Sequence, residues 1–140
     1  MKGRCLCGHV AFEVDACRLA LYRCHCTLCR RQSGTASNCA AIVPSNRFRW
    51  LGGADAITSW RKPSGYRSDF CARCGSPVPN PLLGRDAFWV PAGLLDDTGA
   101  LEIVADFHLA SRAAWDAMPV PGRHFDDLPA DEFFAIVLDE

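Results

Sequence analysis

Residues 71–75 have the sequence Cys71-Ala72-Arg73-Cys74-Gly75, in which two cysteines three positions apart are followed by a glycine. Two thiolates on one tight turn can bind the same tetrahedral ion, and the glycine allows the positive φ that such a turn needs. Residues 5–8, Cys5-Leu6-Cys7-Gly8, supply a second pair at strand spacing, so both sulfurs can point to one face. A redox-active Cys-x-x-C is the alternative, but it needs a βαβ context that the sequence lacks. We predict a closed structural zinc site with the ligands Cys5, Cys7, Cys71 and Cys74.

A third cysteine group occupies residues 24–29, Cys24-His25-Cys26-Thr27-Leu28-Cys29. Three thiolates so close in the chain can bind one ion with little loss of chain entropy. Three protein ligands also leave the fourth corner of a tetrahedron open for water or substrate, as in catalytic zinc sites. We therefore predict a second, open zinc site at Cys24, Cys26 and Cys29.

Several alternatives compete with an open site. His25 could be the fourth ligand, although on extended backbone its side chain points away from those of its two neighbours. Cys17 or Cys39 could close the site and make it structural, but neither has a companion at metal-binding spacing. The group could also be free of metal, and iron could replace zinc because thiolate sets bind both.

Two arginines, Arg30 and Arg31, directly follow the third cysteine group. Their positive charge would favour ionised thiols nearby, and arginine suits bidentate recognition of carboxylates. We assign Arg30 a catalytic role on this basis. The other histidines, at positions 9, 108 and 124, are expected to be packed or at the surface.

Composition places the chain among ordinary globular proteins. It has 140 residues, 49% of them hydrophobic, and a formal net charge of −1, which argues against a broad nucleic-acid-binding surface. The nine cysteines are an odd number, so a fully paired disulfide framework is excluded. No apolar run is long enough to span a membrane, and the first residues lack the apolar core of a signal peptide. We expect one cytoplasmic domain over residues 1–140.

Period-2 alternation and turn signals predict a mainly β fold of antiparallel sheets. The clearest strand is 101–107, where Leu101, Ile103, Ala105 and Phe107 are expected to share a face. One short helix is predicted over residues 112–118 with Ser111 as its cap, and the acidic segment 126–140 is expected to form a solvated edge. The other predicted strands are 10–15, 36–43, 57–60, 66–70 and 87–90.

The chain resembles the glutathione-dependent formaldehyde-activating enzyme family, also called the centromere protein V family. The likeness is carried by residues 5–12, 24–34 and 70–77, and more weakly by residues 108–115. It implies an Mss4-like fold of antiparallel sheets around zinc, with the same division into a four-cysteine and a more labile three-cysteine site. The chain departs from the common pattern at Gly3-Arg4, where a glycine pair is usual, and in the proline-rich stretch 77–81.

The resemblance also implies an activity, the condensation of formaldehyde with glutathione to S-hydroxymethylglutathione, which is carbon–sulfur lyase chemistry in reverse. We expect a small thiol such as glutathione to bind at the three-cysteine zinc and to add to a small aldehyde, with no nucleic acid or membrane as partner. Two alternatives remain open. One is a zinc-stabilised binding module without turnover, and the other is a redox-responsive protein that loses zinc from Cys24–Cys29 on oxidation.

Overall fold

The computed structural model describes residues 1–97, 99–117 and Asp126. Within them the chain forms ten β-strands, one α-helix and four short 3-10 helices. The strands β1 to β10 are Lys2–Arg4, Ala11–Val14, Leu19–Cys24, Asn38–Pro44, Phe48–Gly52, Ile57–Arg61, Arg67–Cys71, Asn80–Pro81, Ala87–Pro91 and Leu101–Phe107. The helix α1 is Thr27–Ser33, and the 3-10 helices are Ser45–Arg47, Ala54–Ala56, Ala92–Leu94 and Leu109–Ser111. None of the described helices is long and apolar enough to cross a membrane.

The strands form three sheets. A five-stranded sheet has the order β10-β3-β4-β9-β8, a three-stranded sheet the order β1-β2-β5, and β6 pairs with β7 as a hairpin. The mainly β, antiparallel fold predicted from the sequence is therefore confirmed. One pair departs from it, because β10 runs parallel to β3. These two strands are far apart in the chain, which leaves ample length for the crossover that parallel pairing requires.

All six predicted strands are present, with bounds that differ by no more than two residues. The prediction that Leu101, Ile103, Ala105 and Phe107 share a face was wrong. A bulge pairs Ile103 with Leu21 and Ala105 with Tyr22, and adjacent strand residues point to opposite faces. Four strands, β1, β3, β5 and β8, were not predicted from the sequence; β3 has no apolar alternation, and β1 and β8 have only three and two residues.

The helix predicted over residues 112–118 was also wrong for the part that the structure describes. Residues 109–111 form a 3-10 helix, and the backbone N–H of Asp116 bonds to the carbonyl of Ala113 in a turn. Local propensity is overridden by a tertiary contact, since the carboxylate of Asp116 lies 3.2 Å from the ring of buried His25. Met118, His124 and the segment 127–140 lie outside the described residues.

The core has two parts that meet at Trp50. The larger part packs Phe12 against Phe48, with ring centroids 5.5 Å apart, and Phe48 against Phe88 at 4.1 Å. The smaller part surrounds the first cysteine group with the fully buried side chains of Val10 and Val78. The apolar core therefore extends directly to the sulfur atoms.

Gly3 provides a test of this packing. A Cβ at residue 3 would lie 2.4 Å from Cζ of Phe12, whose ring is fully buried and held by Phe48. We expect Gly3→Ala to lower the free energy of unfolding by about 1–3 kcal/mol, because the ring cannot withdraw. Chemical denaturation at constant metal loading measures the change. Gly52→Ala is the matched strand control, since its Cβ would meet nothing within 4 Å; an equal effect of both would contradict the account.

Candidate metal centres and cavity

The first cysteine group is built on two tight turns. In the turn after Cys5, the backbone N–H of Gly8 bonds to the Cys5 carbonyl at 2.9 Å, and Gly8 has a φ of 77°. In the turn after Cys71, the N–H of Gly75 bonds to the Cys71 carbonyl at 2.8 Å, and Gly75 has a φ of 75°. Both glycines are thus in the left-handed region that their turns require. The first turn closes between residues three apart and the second between residues four apart, as Cys-x-Cys-Gly and Cys-x-x-Cys-Gly require, and each ends at its glycine.

The two turns are joined to each other across a long stretch of chain. The backbone N–H of Leu6 donates to the hydroxyl of Ser76 at 3.0 Å. The side chains of Cys5, Cys7, Cys71 and Cys74 all place their sulfurs within 4.8 Å of one another. The structure therefore brings together the four residues that the sequence analysis grouped.

The sulfur spacing fits a tetrahedral ion. Zinc–sulfur bonds of about 2.3 Å in a tetrahedron place the sulfurs about 3.8 Å apart. The sulfurs of Cys5 and Cys7 are 3.6 Å apart, and those of Cys7 and Cys71 are 3.9 Å apart. Both distances are far longer than a disulfide bond of about 2.05 Å. The cluster could hold a metal ion, and its donors are consistent with zinc.

The pKa values of the thiols in this cluster also favour a bound cation. The backbone N–H groups of Ser76 and Cys7 lower the pKa of Cys74 to about 6. The backbone N–H of His9 also favours the thiolate of Cys7, yet burial and the three neighbouring thiols raise the pKa of Cys7 to about 11. Four adjacent thiols cannot all ionise at neutral pH by themselves, because each thiolate repels the next. A divalent cation would remove that conflict.

The second cysteine group lies where β3 passes into α1. Cys24 is the last residue of β3, Cys26 is the N-cap of α1, and Cys29 is in the first turn of the helix. The sulfur of Cys26 accepts a hydrogen bond from the backbone N–H of Cys29 at 3.4 Å. All three sulfurs lie within 4.8 Å of one another. Burial, together with the neighbouring thiols, raises the pKa of Cys29 to about 12, so this cluster too would gain from a cation.

No fourth cysteine, histidine or carboxylate joins this cluster among residues 1–97 and 99–117 or at Asp126. Cys17 is exposed, and Cys39 is the cross-strand partner of Arg23 in the β3–β4 pair. His25 points away from the sulfurs, as the extended backbone predicts. The described residues thus provide three thiol donors that could hold metal.

Buried His25 instead joins a partly buried polar network. Its Nε2 lies 2.8 Å from the Asp106 carboxylate, and its Nδ1 lies 3.2 Å from Asp116 without making a hydrogen bond. Asp106 also accepts two hydrogen bonds from Arg23, at 2.7 and 2.9 Å. The Arg23 guanidinium, and then His25, hold the pKa of Asp106 at about 2, so this carboxylate is ionised at neutral pH. The network fixes the residue between Cys24 and Cys26, and no local sequence signal could have revealed it.

A cavity of about 370 Å³ lies beside the second cluster, and Cys29 forms part of its wall. Tyr22, Trp89 and the 81–83 stretch supply apolar surface. The hydroxyl of Tyr66 lies 3.8 Å from the sulfur of Cys29, and burial, with the nearby thiols, raises the pKa of Tyr66. This hydroxyl therefore remains protonated and can donate. The volume is within the range of small-molecule sites.

The basic residues of the cavity differ from those that the sequence analysis favoured. Arg61 and Arg67 line it, whereas Arg30 and Arg31 are not among the lining residues. Arg31 is exposed on α1, and the buried Nε of Arg30 has no hydrogen-bond partner. The catalytic role of Arg30 stays a prediction. Arg61 and Arg67 could not be singled out in the sequence because they are two of thirteen scattered arginines.

The fold and the site together define a class: a small β protein with zinc-knuckle-like cysteine turns and a three-cysteine cluster at a cavity. Residues 1–111 match the family described as glutathione-dependent formaldehyde-activating enzyme, and the chain belongs to that family. It is also similar to the crystal structure of a Rhodobacter sphaeroides protein, a Northeast Structural Genomics target. That likeness has 25% sequence identity and a TM-score of 0.60, and covers 76% of this chain and 99% of the other.

The four-cysteine cluster should support the fold itself. We expect Cys71→Ser to lower the free energy of unfolding by more than about 4 kcal/mol, because the fully buried position would lose its metal ligand. Thermal unfolding and metal analysis of the purified protein measure the effect. The control is Cys17→Ser, an exposed cysteine outside both clusters, which should change stability by no more than about 0.5 kcal/mol. A Cys71→Ser protein as stable as this control would show that the cluster is not structural.

The His25 network should act on the second cluster alone. We expect His25→Ala to weaken metal binding there by about 10- to 100-fold, because the loop between its ligands loses its anchor on Asp106 and Asp116. Chelator competition on cobalt-loaded protein measures both clusters separately. His108→Asn is the control, since His108 is exposed and asparagine tolerates its φ of 58°. Unchanged affinity in His25→Ala would refute a positioning role.

Proposed function

We propose that this protein binds zinc at both cysteine clusters and joins a small thiol, glutathione first among them, to a small aldehyde. The observation that carries the proposal is the three-cysteine cluster on the wall of a small-molecule cavity. Membership of the glutathione-dependent formaldehyde-activating enzyme family supports the choice of thiol and aldehyde. Clustered free thiols suit a reducing compartment, so we place the reaction in the cytoplasm.

Cys24, Cys26 and Cys29 would hold the second zinc, and Cys5, Cys7, Cys71 and Cys74 the structural one. When bound, a zinc ion with an open corner lowers the pKa of a thiol there and so supplies a thiolate at neutral pH. The chain provides the rest of the chemistry. The cavity holds both reactants next to Cys29 and limits the water around them.

The reaction forms one carbon–sulfur bond. The thiol releases its proton to solvent as it ionises, and the thiolate sulfur attacks the carbonyl carbon while the π electrons of the carbonyl move to its oxygen. The resulting alkoxide takes one proton back from solvent to give an S-hydroxyalkyl product. Tyr66 lines the cavity with its protonated hydroxyl 3.8 Å from the sulfur of Cys29, and this hydroxyl can hydrogen-bond to the developing alkoxide. Arg30 remains a candidate for the same charge, and its unpartnered Nε leaves a donor free.

The binding module without turnover remains the second candidate. It is favoured by the absence of Arg30, the predicted catalytic arginine, from the residues that line the cavity. Such a module would bind a small thiol or a protein partner through the same surface. It would not raise the rate of adduct formation between glutathione and formaldehyde, which NMR follows directly.

Glutathione titration of the cobalt-substituted protein tests the proposal. We expect a saturable increase in the sulfur-to-cobalt absorption bands, because a fourth sulfur joins the three of the second cluster. Cys26→Ser should abolish that increase while leaving the fold intact. Cys17→Ser, which alters no cluster residue, should retain it.

Three results would contradict this proposal. A fall of the bands to the level of one ion would mean that glutathione removes the second metal, as a labile or sensing site would allow. No change at all would mean that no thiol reaches the metal. Unfolding of Cys26→Ser with loss of both ions would show that the second cluster is structural instead.

A further inference from the structure

Two arginines face each other on one wall of the cavity. Arg61 of β6 and Arg67 of β7 are direct cross-strand partners, and both line the cavity beside Cys29. Like charges directly opposite each other in an antiparallel pair are destabilising. The hairpin therefore carries an electrostatic cost that an anion beside the two guanidinium groups would relieve.

The carboxylate of Asp69 compensates the positive charge of one of these two arginines, Arg67. The Nε of Arg67 lies 2.7 Å from Oδ1 of Asp69, which is 3% exposed, and its terminal nitrogen donates to the hydroxyl of Ser59 at 3.1 Å. The side chain of Arg61 makes no hydrogen bond or ion pair with any residue of the described part of the chain. Its guanidinium is therefore the one of the pair that is available to a ligand.

The remainder of the cavity offers no competing anion besides the thiols. None of its lining residues, all within the described chain, is an aspartate or glutamate. The uncharged polar side chains of the lining can all donate a hydrogen bond, and Asn38 already donates to Gln32 at 2.8 Å. They are Tyr22, Gln32, Asn38, Tyr66, Asn80 and Trp89. A ligand that matches this lining carries an anionic group, and a guanidinium recognises a planar carboxylate in bidentate fashion.

We propose that Arg61 selects thiols that carry a carboxylate over neutral thiols of the same size. The assignment rests on the proposed function, because the thiol is taken to bind at the second cluster. It adds a specificity-determining residue, one that the family match does not specify. Arg61 is exposed at the cavity edge, so water and salt screen the contact and the expected preference is moderate.

A pair of isosteric thiols tests the assignment. Titrations of 3-mercaptopropionate and 3-mercaptopropionamide into cobalt-substituted protein give two dissociation constants from the sulfur-to-cobalt bands. We expect Arg61→Gln to reduce the ratio of carboxylate to amide affinity by about 5- to 10-fold. Because only the change in this ratio is compared, the differing thiol pKa values of the two ligands cancel. The wild-type preference should also fall as salt is raised.

Arg47→Gln is the matched control, since Arg47 is exposed and lies outside the cavity lining. Its affinity ratio should equal that of the wild type. An unchanged ratio in Arg61→Gln, while Cys26→Ser still abolishes binding of both thiols, would overturn the role of Arg61 and leave the proposed function intact. Failure of both thiols to bind the wild-type protein would overturn the proposed function and the role of Arg61 together.

Discussion

Four sulfur atoms that converge from opposite parts of the chain are the constraint on which the structure depends. Cys5 and Cys7 meet Cys71 and Cys74 within 4.8 Å, in surroundings where Val10 and Val78 are fully buried. Thiolates so close repel one another, and removing them from water adds a desolvation cost. Without a cation, the clustered sulfurs therefore oppose folding, and with a bound cation they would favour it. The free energy of cation binding would then be part of the free energy of folding. The smaller part of the core and the candidate metal centre would therefore form together on folding.

The three-cysteine cluster is placed by different means. Its ligands lie within one short segment, so the chain closes almost no loop when they gather, and little of the fold depends on them. What fixes this segment is the contact of His25 with Asp106 and Asp116, together with the N-cap at Cys26. A site held this way can gain or exchange a ligand at its cavity side without unfolding the sheets. The proposed division between a closed centre that stabilises and an open one that binds a thiol would follow from chain topology.

Local sequence signals predicted the features that arise locally. Alternation and turn residues located six strands, and short cysteine spacing identified both clusters, because a period or a spacing is contained within a few residues.

The polar partners of His25 and the arginines of the cavity were not predictable in this way. Asp106 reaches His25 only because β10 lies parallel to β3 with a bulge, and Arg61 faces Arg67 only in the observed hairpin register. Register between strands is set by the whole core. The helix predicted over residues 112–118 was wrong over residues 112–117, where Asp116 lies 3.2 Å from His25, a residue far away in the sequence.

Charge balance explains why a cavity beside a thiolate cluster needs arginines. With the proposed zinc, three thiolates and one divalent cation leave a net charge of −1, and a fourth thiolate would increase it to −2. The negative charge of this site repels an anionic ligand. A cavity that holds little water screens this repulsion only weakly, so it extends over a longer distance. Arg67 cannot offset it fully, because Asp69 already neutralises that guanidinium. Arg61 therefore supplies the positive charge that makes a second anion acceptable in the same cavity. The cysteine cluster then favours the sulfur end of the ligand, and the hairpin favours its carboxylate.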